Sequence, residues 1–79
     1  MEIEEFIEAI ENEFEEVQNG SLTPDFSIRD MEGWSSMHAL LIIALVDNHF
    51  EILLNGEDLR SVQTIQELYD LIQTKLKVG

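Results

Sequence analysis

Apolar side chains recur at steps of three and four from Ile3 through Phe6, Ile7, Ile10 and Phe14 to Val17, a single stripe that predicts an amphipathic helix over residues 1–19. Between the stripe positions stand Glu2, Glu4, Glu5, Glu8, Glu11, Glu13, Glu15 and Glu16, with no Lys or Arg among them. Like charges at helical spacing repel, so tertiary packing must hold this helix, and its carboxylates read as a solvated face. Asn19-Gly20, tolerant of the left-handed conformation, ends it. Over residues 20–35 the period vanishes into Gly, Ser, Thr-Pro and Asp, a loop of unusual length for so small a chain. Leu22, Phe26, Ile28, Met31 and Trp34 are spaced through it, which predicts a loop packed over the helices.

Residues 36–50, SMHALLIIALVDNHF, are almost continuously apolar at first, and their length favours a helix over a buried strand. A helix apolar on every side cannot be wholly covered by the few neighbours this chain provides. Some of Met37, Leu40, Leu41 and Ala44 should therefore stay near solvent, either as a docking surface or as surplus core. Asn55-Gly56 then reads as a turn before one or two helical turns anchored by Leu59. The last helix opens on Thr64 with Glu67 three residues later, a capping box, and continues through Ile65, Leu68, Tyr69, Ile72 and Leu76. Lys75 and Lys77 stand near its C-terminal end, where the helix dipole favours cations. The predicted fold is all-α: a small four-helix bundle with a long first loop and a short third helix.

Composition narrows the function. The chain has 79 residues, 17 Asp+Glu against 4 Lys+Arg, a net charge of −13 and no cysteine. Nucleic acid and anionic lipid need a basic footprint that four scattered cations cannot make, so partners should be basic proteins. The longest apolar run, Ala39 to Val46, is too short to span a membrane, and the acidic MEIEEF start is unlike a signal peptide. A soluble, untargeted protein without membrane insertion is expected. Lack of cysteine removes disulfides, thiolate nucleophiles and zinc-thiolate sites, which suits a reducing cytoplasm.

Conventional catalytic constellations do not assemble. His38 and His49 are three helical turns apart, about 16 Å along the axis, too far to share a metal. They read as surface polar residues beside a core stripe. Ser36 and His38, two residues apart, point to different sides of the helix. Nothing splits the environments of any carboxylate pair, Asp47 and Glu51 lack a third oxygen ligand, and the glycines form no phosphate-binding loop. There remains the step Gly33-Trp34-Ser35-Ser36-Met37. Ser35 suits the N-cap and Ser36 the first helical position with its hydroxyl outward, where an attached anion would meet unpaired backbone N–H groups. Capping alone also accounts for two serines at this place.

With those residues in view, the chain resembles the acyl carrier protein family. That family's modification motif is usually Asp-Ser-Leu or Asp-Ser-Met at the start of its second helix, after a long loop and a glycine. Here Ser35-Ser36-Met37 stands there, followed by the apolar helix to Phe50, Asn55-Gly56 with Leu59, and Thr64 to Tyr69 opening the last helix. The resemblance covers essentially the whole chain, 1–79, as a single domain. It implies that Ser36 carries 4′-phosphopantetheine, transferred from coenzyme A by a Mg²⁺-dependent phosphopantetheinyl transferase. It also implies a monomeric carrier and not an enzyme, holding an acyl or aminoacyl thioester for acyl-transferring or condensing enzymes of lipid or polyketide-type synthesis with basic docking surfaces. Leu45, Val46, Phe50, Ile65 and Leu68 are candidates to line an acyl shelter or to be plain core.

Two positions depart from the family pattern. Ser35 replaces the usual Asp, which keeps an N-capping oxygen and removes a carboxylate associated with transferase recognition. The second helix carries Asp47 as its single acid, so docking is expected to rest on Met37, Leu40 and Leu41. The alternative reading is an unmodified carrier-like fold serving as an acidic protein-interaction module.

Overall fold

The structure, a computed structural model, describes residues 2–14, 17, 20–31 and 33–78. Among these it is all-α, with helices α1 (Ile3–Glu13), α2 (Ser36–Phe50), α3 (Gly56–Ser61) and α4 (Ile65–Val78) and one 3-10 turn, Ile28–Asp30, in the long first connection. The described residues contain no strand. Helix α1 packs on both α2 and α4. The predicted stripe is what it buries: Phe6 and Ile10 are fully enclosed, and Phe14 and Val17 join the same core. Phe6 meets Phe50 edge-on at 5.8 Å and Tyr69 at 6.0 Å, joining three helices at one ring.

Helix α1 is shorter than its apolar period predicts. It stops at Glu13, and Phe14 is already extended, with its N–H bonded to Ile10 O. The predicted end at Asn19 lies outside the described residues, and Gly20 is left-handed at φ +85°. The physical reason for the early stop lies in charge. Glu13 puts a carboxylate at the negative end of the helix dipole, and the last turn of α1 holds no cation. Glu11 is a second correction, since it is buried and not part of a solvated face. Its Oε2 accepts from Gly20 N–H at 2.9 Å and Leu22 N–H at 3.2 Å, which folds the loop back on the helix.

The loop is packed as expected, with Leu22, Ile28 and Met31 buried and Phe26 and Trp34 half-buried. Backbone bonds add to this packing. Ile28 N–H donates to Gln63 O, Ile65 N–H to Phe26 O, and Gln66 N–H to Pro24 O, around an isolated bridge between Ser27 and Thr64. Arg29 completes the seam: its guanidinium donates to Leu59 O, Arg60 O and Val62 O at 3.1–3.3 Å. Those carbonyls at the end of α3 would otherwise lack helical partners.

Helices α3 and α4 begin where local chemistry directs. Asn55-Gly56 opens α3 directly instead of forming a separate turn: Asn55 Oδ1 accepts from Asp58 N–H, and Asp58 Oδ2 accepts from Asn55 N–H. At α4, Thr64 Oγ1 accepts from Glu67 N–H, while Glu67 Oε1 accepts from the backbone N–H groups of Gln63 and Thr64. Those two backbone bonds hold the Glu67 carboxyl below its ordinary pKa. Lys75, predicted to serve the helix end, also reaches Asp58 of α3 at 3.6 Å.

Candidate functional site

The site is built at the entry to α2. Gly33 is left-handed at φ +77°, a conformation that costs a residue without Cβ little, and it turns the chain before Trp34. Ser35 follows in extended conformation, and its carbonyl accepts the first helical bond from Ala39 N–H. Ser35 thus stands at the N-cap, as predicted, yet its hydroxyl takes none of the first-turn backbone N–H groups. It shares a hydrogen bond with His38 Nδ1 at 3.2 Å instead.

His38 overturns the surface reading of the histidines. It is buried, stacked on Phe14 at 4.7 Å and tilted against Trp34 at 6.1 Å, while His49 is exposed. The 35/38 spacing places both groups on one helix face, and that signal was legible. Burial of the imidazole was not, because it depends on Phe14 arriving from the far side.

Ser36, the first residue of α2, is exposed, and beside it lies an apolar groove of about 450 Å³. Ser36, Ala39, Leu40 and Ile43 of α2 form one wall, Ile28 and Trp34 of the loop a second, and Gly56, Leu59 and Arg60 of α3 a third. Its size falls in the range of about 300–1,000 Å³ common for small-molecule sites. Of the residues considered for an acyl shelter, Leu45, Val46, Ile65 and Leu68 are instead closed core, and Phe50 is half-buried against that core. The groove is lined by a different set of α2 residues, Ser36, Ala39, Leu40 and Ile43, and apolar character alone could not tell the two sets apart. Arg29 and Arg60 also line it. Sequence reasoning passed over both, although four cations in so acidic a chain were a signal to ask what each one does.

The outer face of α2 divides the predicted docking residues. Met37 is 63% exposed and Leu40 62%, with Ala44 also open, whereas Leu41 is half-buried against the core. Met37→Ala and Leu40→Ala are therefore expected to change stability by no more than about 0.5 kcal/mol. Leu41→Ala should lose more than either, about 1–3 kcal/mol, because it opens part of the packing beneath α2. Urea denaturation of the three variants checks that order.

Among the described residues no cluster of His, Asp or Glu is arranged to hold a metal, and no helix is long and apolar enough to cross a membrane. No protein-family model matches the chain, and neither a curated protein nor a solved structure matches it.

Proposed function

We propose that this chain is a stand-alone acyl carrier, a small four-helix bundle that holds an acyl or aminoacyl group on 4′-phosphopantetheine attached to Ser36. It delivers that cargo to acyl-transferring or condensing enzymes of lipid or polyketide-type synthesis. The observation that carries this reading is an exposed serine at the first position of a 15-residue helix, opening onto an apolar groove.

The residues present fit the prosthetic group. With the Ser35 hydroxyl turned to His38, it does not compete for the first-turn N–H groups of α2, which favour a phosphodiester on Ser36 through hydrogen bonding and the helix dipole. The group, when bound, supplies a flexible arm ending in the thiol that a cysteine-free chain lacks, and the cargo is held there as a thioester. Ala39, Ile43, Leu59 and Trp34 offer that cargo a partly dry surface. Met37 and Leu40 are the docking contacts beside Ser36, with Leu41 supporting them from below. The net charge of −13 steers basic partners towards the carrier over distance, and the apolar contacts set the lifetime of the complex.

Incubation with coenzyme A, Mg²⁺ and a broad-specificity phosphopantetheinyl transferase should add one prosthetic-group mass, which intact-protein mass spectrometry reads. Ser36→Ala should abolish the addition and Ser35→Ala should keep it. The reverse pattern would move the attachment point to Ser35. Failure of every transferase, together with unmodified protein from the native host, would leave the interaction-module reading in its place.

A further inference from the structure

We infer that the groove beside Ser36 selects a cargo chain that ends in a carboxylate, and that Arg60 is the specificity-determining residue that receives it. The inference rests on the proposed loading of Ser36, and it starts from the disposition of the few cations. The chain holds 17 acidic residues and 4 Lys+Arg, yet two of those four, Arg29 and Arg60, line this one groove.

The two arginines are not equivalent. Arg29 is engaged with three backbone carbonyls at the end of α3 and serves the fold. The Arg60 side chain has neither an ion pair nor a hydrogen bond among the described residues, while the nearby Asp58 is taken by Lys75. Its guanidinium lies over the first turn of its own helix, with Nη1 3.3 Å from where a Cβ on residue 56 would sit. Glycine at 56 leaves that space open, and residue 56 is itself part of the groove wall.

A guanidinium with no partner among the described residues, at the edge of an apolar slot, is poorly served by a plain hydrocarbon, which would displace water from it and return no hydrogen bond. A carboxylate at the end of an aliphatic chain matches both parts of the groove, and the pairing with arginine is charge-assisted and bidentate in favourable geometry. An anion directly on Ser36 already has the first turn of α2 to receive it. The additional cation on the α3 wall therefore points to a second anion, carried by the cargo itself.

The chain has no cysteine, so Ser36→Cys supplies a single thiol for chemical loading without any transferase. That thiol is alkylated with three probes: an iodoacetamide bearing a six-carbon alkyl chain, the same probe ending in a carboxylate, and plain iodoacetate. The carboxylate-ended probe should raise Tm above the alkyl probe by about 4 °C or more at low salt. Arg60→Gln in the same background should erase that difference and Arg60→Lys should retain part of it. NMR should show the Arg60 guanidinium resonance moving with the carboxylate-ended probe alone. Equal Tm for the two long probes, or a difference that survives Arg60→Gln, overturns the inference. So does an equal, Arg60-dependent rise with iodoacetate, which would assign Arg60 to an anion at Ser36. Because loading is chemical, these outcomes are independent of whether a transferase modifies Ser36.

Discussion

Phe6→Ala is expected to remove about 3–5 kcal/mol of stability, the range for emptying a fully buried aromatic site. The ring is completely enclosed and touches Phe50 at the end of α2 and Tyr69 of α4, so its loss opens a void where three helices meet. A domain of this length has about 4–12 kcal/mol in total, so the variant loses a large share of its stability. Helix α1 has little of its own to fall back on. Its 11 residues include five Glu and no Lys or Arg, and helices so short are marginal in water even with favourable side chains. Urea denaturation followed by circular dichroism measures the loss. A value under about 1 kcal/mol would mean that α1 is held by contacts other than this aromatic junction.

Glu11→Ala should have the next largest effect, about 2–4 kcal/mol, since it leaves the backbone N–H groups of Gly20 and Leu22 without their acceptor where Leu22 is buried. The carboxylate stands in the last turn of α1, two residues before its end at Glu13, and ties the start of the long loop to the helix. Glu11→Gln keeps an acceptor oxygen of the same reach, so it should recover most of the loss. Hydrogen exchange at the Leu22 amide should accelerate in the alanine variant and stay close to the parent in the glutamine variant. Equal destabilisation by both would show that the side chain matters through its charge or packing instead of as an acceptor for the loop.

These two sites bear on function through the position of α2. Phe6 and Phe14 press on α2 from the α1 side, at Phe50 and His38 respectively, while the loop that Glu11 anchors leads to Gly33 and the entry at Ser35 and Ser36. The groove beside Ser36 is then walled by α2, the loop and α3, and Met37 and Leu40 of α2 stay exposed. Acidity is concentrated on α1, and the apolar contact surface is on α2. The proposed carrier therefore separates long-range attraction of a basic partner from short-range grip on it.

Local rules determined much of this protein directly from the sequence. The stripe from Ile3 to Val17, the apolar run after Ser35, the reciprocal Thr64–Glu67 cap and the anchor at Leu59 depend on neighbours within a few residues, and each appears where the pattern predicts. The exposed Ser36 at the first position of α2 belongs to the same class. The early end of α1 was partly legible in its uncompensated glutamates, but an apolar period that continues to Val17 outweighed them. Only the tertiary structure decided which faces of α2 close. His38 is buried because Phe14 stacks on it from another helix end, and Leu41 is half-covered while Leu40 is open. It also decided that Glu11 turns inwards to two loop amides, and that Arg29 is consumed by α3 while Arg60 remains open on the groove. Each of those outcomes depends on groups far apart in the chain, whose meeting is set by how the helices pack, and periodicity along one segment carries no record of what arrives from another.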